Sequence, residues 1–242
     1  MNDVLTHYET LLARHYSRAM GGFAAKTDEN AAFFDKHGLR PRASGRAVDL
    51  GAGSGFQAVP LARAGFSVAA VDLSPTLLGE LAGHAAGLAV ACVQGDILDA
   101  DKLVSGPVEL AVCMGDTLSH LPSLEAVAAL CATVRRMIAA DGAFVLTFRN
   151  QETALAGPDR FLPVYADDSL ILTCFLEYDD DAVRVTDLAH VRDGSGWSLR
   201  KSAYRKVRLR RAAVLDILAR AGWRIAHEET TRGMVAVIAR PA

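Results

Sequence analysis

The chain has 242 residues, 51% hydrophobic and 22% charged, with a formal net charge of −2. That length supports one or two domains that fold without a disulfide or metal staple, and the slight negative charge argues against a generic polyanion binder, whose affinity comes from clustered Lys and Arg. No apolar run approaches the roughly 18–20 residues of a membrane span, and Asp3, His7 and Glu9 stand where a secretory leader would be basic and then apolar, so a cytoplasmic protein without membrane contact is expected.

Residues 2–37 are predicted helical, with Leu5, Tyr8, Leu12, Tyr16 and Met20 at spacings of three and four. Gly21-Gly22 should interrupt that run, and a second helix carrying Phe33-Phe34 should end near Gly38. Short apolar runs follow at 46–50, 67–73, 88–93, 108–114 and 142–148. Most are continuously apolar, as in parallel strands covered on both faces. Helical stretches at 56–64, 75–84 and 123–139 separate several of them, which predicts a doubly wound α/β sheet. Pro60 falls early in the first of these helices and is expected to distort its opening turns. From 160 the pattern becomes antiparallel: strands at 168–178, 182–193 and 196–207, divided by Asp179-Asp180-Asp181 and a turn at 193–196. A helix at 210–221 ends at Gly222, and two closing strands, 223–229 and 233–239, flank a turn. The four cysteines, Cys92, Cys113, Cys131 and Cys174, form no CxxC pair and lie in apolar stretches, so buried, reduced thiols are expected.

The most informative segment is 47–56, AVDLGAGSGF. A strand runs into Gly51, Gly53 and Gly55 before a helix begins; glycines there permit a tight turn and a close backbone approach to a ligand. A purely structural strand–helix turn is the alternative. Asp72, at the end of the next strand and about 20 residues on, stands where a carboxylate would meet a ribose diol. The spacing is GxGxG rather than the GxGxxG of dinucleotide folds, and Asp49 precedes the first glycine by two positions.

VDLGAGSGF, VDLS (71–74) and QGDILD (94–99) resemble the first three motifs of class I S-adenosylmethionine-dependent methyltransferases, a likeness covering about residues 45–150. The resemblance implies a Rossmann-like seven-stranded methyltransferase sheet with N-terminal helices and a small antiparallel β meander inserted after strand five. It further implies one domain over 1–242: a helical cover at 1–40, a cofactor-binding core at 45–150, a substrate-side insertion at 160–207, and a closing helix and strands at 208–242. S-adenosylmethionine would be the cofactor, S-adenosylhomocysteine the product, and no metal is implied. Gly51, Ala52, Gly53 and Gly55 would line the amino-acid end of the cofactor, with Asp49 supporting the turn. Asp72 would hold the ribose hydroxyls, Leu73 would pack on adenine, Asp96 would accept from the adenine amine, and Ile97 would offer a backbone N–H. Met114 and Gly115 would complete the pocket, and Tyr16 resembles an aromatic that covers bound cofactor in relatives. Asp96 is equally placed to cap a turn, and Tyr16 to be a core residue.

CMGDTLSHL (113–121) and FRN (148–150) resemble segments of the glycine and sarcosine N-methyltransferase group, with Asp116 at an asparagine position and Phe148 at a histidine position. These matches favour a small-molecule acceptor with a nitrogen or oxygen nucleophile, while the two replacements argue against glycine itself. The [ND]PP[YF] pattern of nucleobase amine methylation is absent from this position. His120 is the candidate base, since imidazole titrates near neutral pH; packing beside the cofactor is its other reading. Asp116 is a candidate to orient an amine or to meet the cofactor, and Arg149 with Asn150 a candidate for an anionic group on the acceptor. The basic run from Arg205 to Arg211 reads as a solvated face, or as a patch for RNA or an acidic protein. The competing functions are therefore an RNA or protein methyltransferase using 201–211, a nicotinamide dehydrogenase, and a non-catalytic cofactor-binding module. Nucleic acid is not the expected partner, and the sequence is silent on oligomeric state.

Overall fold

The computed structural model describes residues 3–194 and 196–242; Asn2 of the predicted first helix and Ser195 of the predicted turn lie outside them. Strands β1 (Arg46–Leu50), β2 (Ser67–Asp72), β3 (Val90–Gln94), β4 (Val108–Cys113) and β5 (Ile138–Arg149) are mutually parallel. With β10 (Trp223–Thr231) and β11 (Met234–Pro241) they form a seven-stranded sheet in the order β10-β11-β5-β4-β1-β2-β3, with β11 antiparallel to both its neighbours. The order reverses between β1 and β4, which opens a crevice at the carboxyl ends of those strands.

Alternating side chains cover the two faces, as the two-residue strand period demands. Leu110 and Val112 of β4 pack toward α3 (Phe23–Lys36), α4 (Ala58–Arg63) and α5 (Pro75–His84), while Ala111 and Cys113 pack toward α7 (Leu124–Met137) and α8 (Arg211–Arg220). Ser74 caps α5 by accepting from the Leu77 N–H, and Pro75 opens it at a position whose missing N–H costs nothing. The same reasoning spares Pro60, which lies in the first turn of α4, where backbone N–H groups have no helical partner.

A second sheet, β6 (Phe161–Ala166), β7 (Leu170–Tyr178), β8 (Ala182–Asp193) and β9 (Gly196–Val207), is an antiparallel meander. The sequence reading omits β6, whose Pro163 is tolerated only because this is an edge strand with a register shift beside the proline. Two other expectations need correction. The first helix is broken into α1 (Asp3–His7), a π turn (Tyr8–Leu12), a 3₁₀ turn (Ala13–His15) and α2 (Tyr16–Ala19), before Gly21 and Gly22 (φ 96° and 94°) reset the chain for α3. And β3 is an edge strand with exposed residues, so Cys92 is exposed, while Cys174 is half-buried, packed against Val183, Val185 and Tyr204 at the cavity wall; Cys113 and Cys131 are buried as expected. No helix among the described residues is long and apolar enough to cross a membrane.

Candidate active site

The crevice at the carboxyl ends of the parallel strands is roofed by the meander and by the N-terminal segment, giving a cavity of about 960 Å³. That is at the upper end of the roughly 300–1,000 Å³ of small-molecule sites. Four of its own side chains hold the N-terminal segment over the cavity. The Glu9 carboxylate accepts from the hydroxyls of Ser74 (2.5 Å) and Thr76 (2.6 Å), and Ser17 donates to Ser54 (2.8 Å). His7 pairs with Asp187 of β8 (2.9 Å), and Arg18 pairs with Asp167 beside the meander.

At one end of the cavity is the glycine loop. The N–H groups of Gly51 and Ala52 both donate to the Val71 carbonyl, which fixes the turn over the end of β2. A Cβ on Gly51 would stand 2.2 Å from Thr117 Cγ2, and one on Gly55 would stand 2.2 Å from Leu81 Cδ1, so both are required by packing. A Cβ on Gly53 would meet no atom nearer than Tyr16 Cε1, at 3.5 Å, which leaves that side of the loop open. Asp72 ties the loop to α5: its Oδ2 accepts from the Gly53 N–H and its Oδ1 from the Ser74 N–H, each 2.8 Å. Burial raises its pKa against those hydrogen bonds. Asp49 lies beneath the loop, fully buried, with neither carboxylate oxygen hydrogen-bonded. Burial, reinforced by the charge of Asp72, pushes it up to about 8, so it is neutral at pH 7. Asp96 Oδ1 accepts from the Leu98 N–H (2.9 Å) and caps a short 3₁₀ turn, yet the residue also lines the cavity, so its two readings are compatible.

At the other end stands the segment after β4. Met114 and Gly115 lead into Asp116 and a 3₁₀ turn (Thr117–His120). Asp116 Oδ2 accepts from Lys206 Nζ of β9 at 2.5 Å, with side chains only 18% and 13% exposed. Burial opposes ionisation of both, but their mutual attraction wins: Asp116 is held below the ordinary carboxylate range and Lys206 above the ordinary amine. His120 packs edge-on to Tyr8 (5.8 Å between centroids) and lies 5.5 Å from the Tyr204 ring. Burial and the Lys206 charge push it down to about 3, so the ring is neutral at physiological pH, and its Nε2 is buried without a hydrogen-bond partner. The same wall carries Tyr8, Tyr16 and Tyr204, all with pKa raised by burial, Tyr16 to about 12.

The cavity thus brings together Tyr16, Gly51, Gly53, Asp72, Leu73, Asp96, Ile97, Asp116, His120 and Arg149 of the sequence candidates. Asp49, Ala52, Gly55, Met114, Gly115 and Asn150 are not in its wall. Asn150 instead accepts from the Arg211 N–H at 3.1 Å and fixes the start of α8. The sequence reading missed Lys206, Tyr8, Tyr204 and the His7–Asp187 pair. A strand-period reading of 204–207 was the available signal, since it puts Tyr204 and Lys206 on one face. The rest of the basic run is engaged within the chain: Arg205 with Asp181, Arg208 and Arg210 with backbone carbonyls, and Arg211 with Glu228.

A family model for a methyltransferase domain matches residues 47–142. A glycine/sarcosine/dimethylglycine N-methyltransferase of Actinopolyspora halophila is 28% identical over 158 residues, 58% of this chain and 27% of that protein. A ubiquinone biosynthesis O-methyltransferase of Cupriavidus pinatubonensis is 31% identical over 123 residues, 45% of this chain and 49% of that one. A solved S-adenosylmethionine-dependent methyltransferase from Clostridium acetobutylicum superposes with a TM-score of 0.76 at 16% identity, covering 100% of this chain and 98% of that one. The matched stretches span between about a quarter and a half of the curated relatives' length.

Proposed function

We propose that this chain, a class I S-adenosylmethionine-dependent methyltransferase, moves the cofactor's methyl group to a nitrogen or oxygen of a small-molecule acceptor. The observation that carries the reading is the joining, in one cavity, of Gly53 and Asp72 at one end with Asp116, Lys206 and His120 at the other.

The residues present fit the cofactor. Gly53 leaves an open face on the loop, and Asp72 keeps acceptor capacity toward the cavity for a diol after its two backbone bonds. Gly51, Ala52 and Gly53 would hold the amino-acid end and Asp72 the ribose, while Leu73, Asp96 and Ile97 would hold the adenine and Tyr16 would cover it. Asp49, Gly55, Met114 and Gly115 would shape this end from behind the wall. When bound, S-adenosylmethionine supplies a methyl already activated on a sulfonium, so the protein's task is chiefly alignment.

Neutral His120, whose Nε2 has no partner within the protein, accepts a hydrogen bond from the acceptor's N–H or O–H and so turns the acceptor's own lone pair toward the methyl. A ring held near 3 is a weak base, and Asp116, paired with Lys206 and held below the ordinary carboxylate range, is no stronger, so both residues orient the nucleophile and the proton released after methyl transfer passes to water. Arg149, exposed at the cavity edge, meets an anionic group on the acceptor. The N-terminal segment excludes water. Pairing of Arg205 with Asp181 and of Arg211 with Glu228 lowers the free charge this run offers an RNA or acidic protein, which favours the small-molecule reading. The test is release of S-adenosylhomocysteine across a panel of small amine, carboxylate, phenol and thiol acceptors, run beside RNA and protein. Turnover confined to RNA or protein would overturn the reading.

A further inference from the structure

Away from the cavity, three metal-ligating groups converge where the end of α3 meets the edge strand β10. His37 is the C-cap of α3, and His227 and Glu229 share one face of β10 just after a register shift at Ile225/His227. One ring nitrogen of each histidine and a carboxylate oxygen of Glu229 lie within 4.8 Å of one another. His37 Nε2 is 3.8 Å from Glu229 Oε1, and His227 Nε2 is 3.6 Å from Glu229 Oε2. These separations are too long for hydrogen bonds, and both Nε2 atoms are buried without a partner. The His37 side chain is only 10% exposed. Native chains rarely leave two buried ring nitrogens facing one carboxylate with no proton between them.

We propose that His37, His227 and Glu229 bind one divalent transition-metal ion of the zinc type, clipping the end of α3 to β10. Two imidazole nitrogens and a carboxylate form a ligand set that zinc accepts in a tetrahedral site, with solvent in the fourth position. With bonds of about 2.0–2.1 Å, ligand atoms in such a site stand about 3.3 Å apart. From separations of up to 4.8 Å the three groups reach that spacing by side-chain shifts of up to about 1.5 Å. Lys36 Nζ now sits 2.7 Å from Glu229 Oε2, and at 59% exposure it swings into solvent as the ion takes its place. The ligands are 190 positions apart in the sequence, so the clip ties an early helix to the closing hairpin.

The test is titration of the untagged, chelator-treated full chain with Zn²⁺ against a chromophoric competitor, with thermal unfolding alongside. One ion per chain and a raised Tm are expected. His227→Ala and Glu229→Gln should each lower affinity at least about tenfold, the smallest loss seen even for outer-shell partners of metal sites. Lys36→Met should hold or raise affinity, because it removes the competing cation. His227→Asn serves as the fold-preserving control and should bind as poorly as His227→Ala. No binding by the wild type, or binding that survives both His227→Ala and Glu229→Gln, would overturn the proposal.

Discussion

The two ends of the cavity are built from different kinds of contact. At the glycine-loop end the decisive link, Gly53 to Asp72, joins residues 19 apart, and Ser74 to Asp72 joins residues two apart. At the acceptor end, Lys206 reaches Asp116 across 90 positions, and His7 reaches Asp187 across 180. The first end is a short βαβ unit whose backbone demands particular residues at particular spacings. The second is assembled when the N-terminal segment and the meander close over the sheet, and each side chain there meets a partner that its own neighbourhood does not announce.

The largest expected effect lies at the acceptor end. Asp116→Ala leaves the Lys206 ammonium enclosed without its counter-charge, which should cost about 3 kcal/mol, the low end for a broken buried pair because water in the cavity relieves part of it. Chemical denaturation measures it. Adding Lys206→Met to Asp116→Ala should recover most of the loss, and a double variant no more stable than Asp116→Ala would mean the pair is not the source.

A smaller effect separates two glycines of one motif. Gly55→Ala drives a Cβ into Leu81 at φ 99°, which should destabilise by about 1–3 kcal/mol while S-adenosylhomocysteine affinity changes little. Gly53→Ala meets no close atom, but its φ of 53° still costs about 1 kcal/mol for a side-chain-bearing residue, so it should lower Tm less than Gly55→Ala while weakening the ligand. Equal effects on both measurements would erase the distinction between a packing glycine and a cofactor-facing one.

This contrast is what made one end legible in sequence and the other not. The glycine spacing and Asp72 are local requirements, so their positions read directly, as did the alternation of apolar strands with helices. Lys206 did not, because a run of Arg and Lys looks solvated until the two-residue period of β9 is paired with β8, which turns Lys206 inward and Arg205 outward. The break in the first helix was also hidden, since Leu5, Tyr8, Leu12 and Tyr16 keep a helical rhythm through the π and 3₁₀ turns. Exposure of Cys92 depended on β3 being the sheet edge, a fact of topology and not of composition.

The ends should also respond oppositely to pH. Asp49, beneath the glycine loop, titrates at about 8 in the folded chain against an ordinary 3.8, so the folded state binds more protons between those values. Its stabilising contribution is complete below 3.8 and is lost as pH rises through 8. His120, held at about 3 against an ordinary 6.5, contributes fully above 6.5 and loses that contribution as pH falls toward 3. The two windows overlap from 3.8 to 6.5 with opposite slopes, so Asp49→Asn should abolish the fall in stability between pH 6.5 and 8, and His120→Gln the rise between 3 and 3.8. A variant that abolishes the other change would contradict the assignment.

Calorimetric titration with S-adenosylhomocysteine tests the central claim, a cofactor end and an acceptor end in one cavity, most directly. The wild type should bind one equivalent, Asp72→Ala should lose about 1.5–3 kcal/mol of affinity, the range for hydrogen bonds involving a charged group, and Lys206→Met should bind as the wild type does. Absence of binding by the wild type, or equal losses in the two variants, would contradict it.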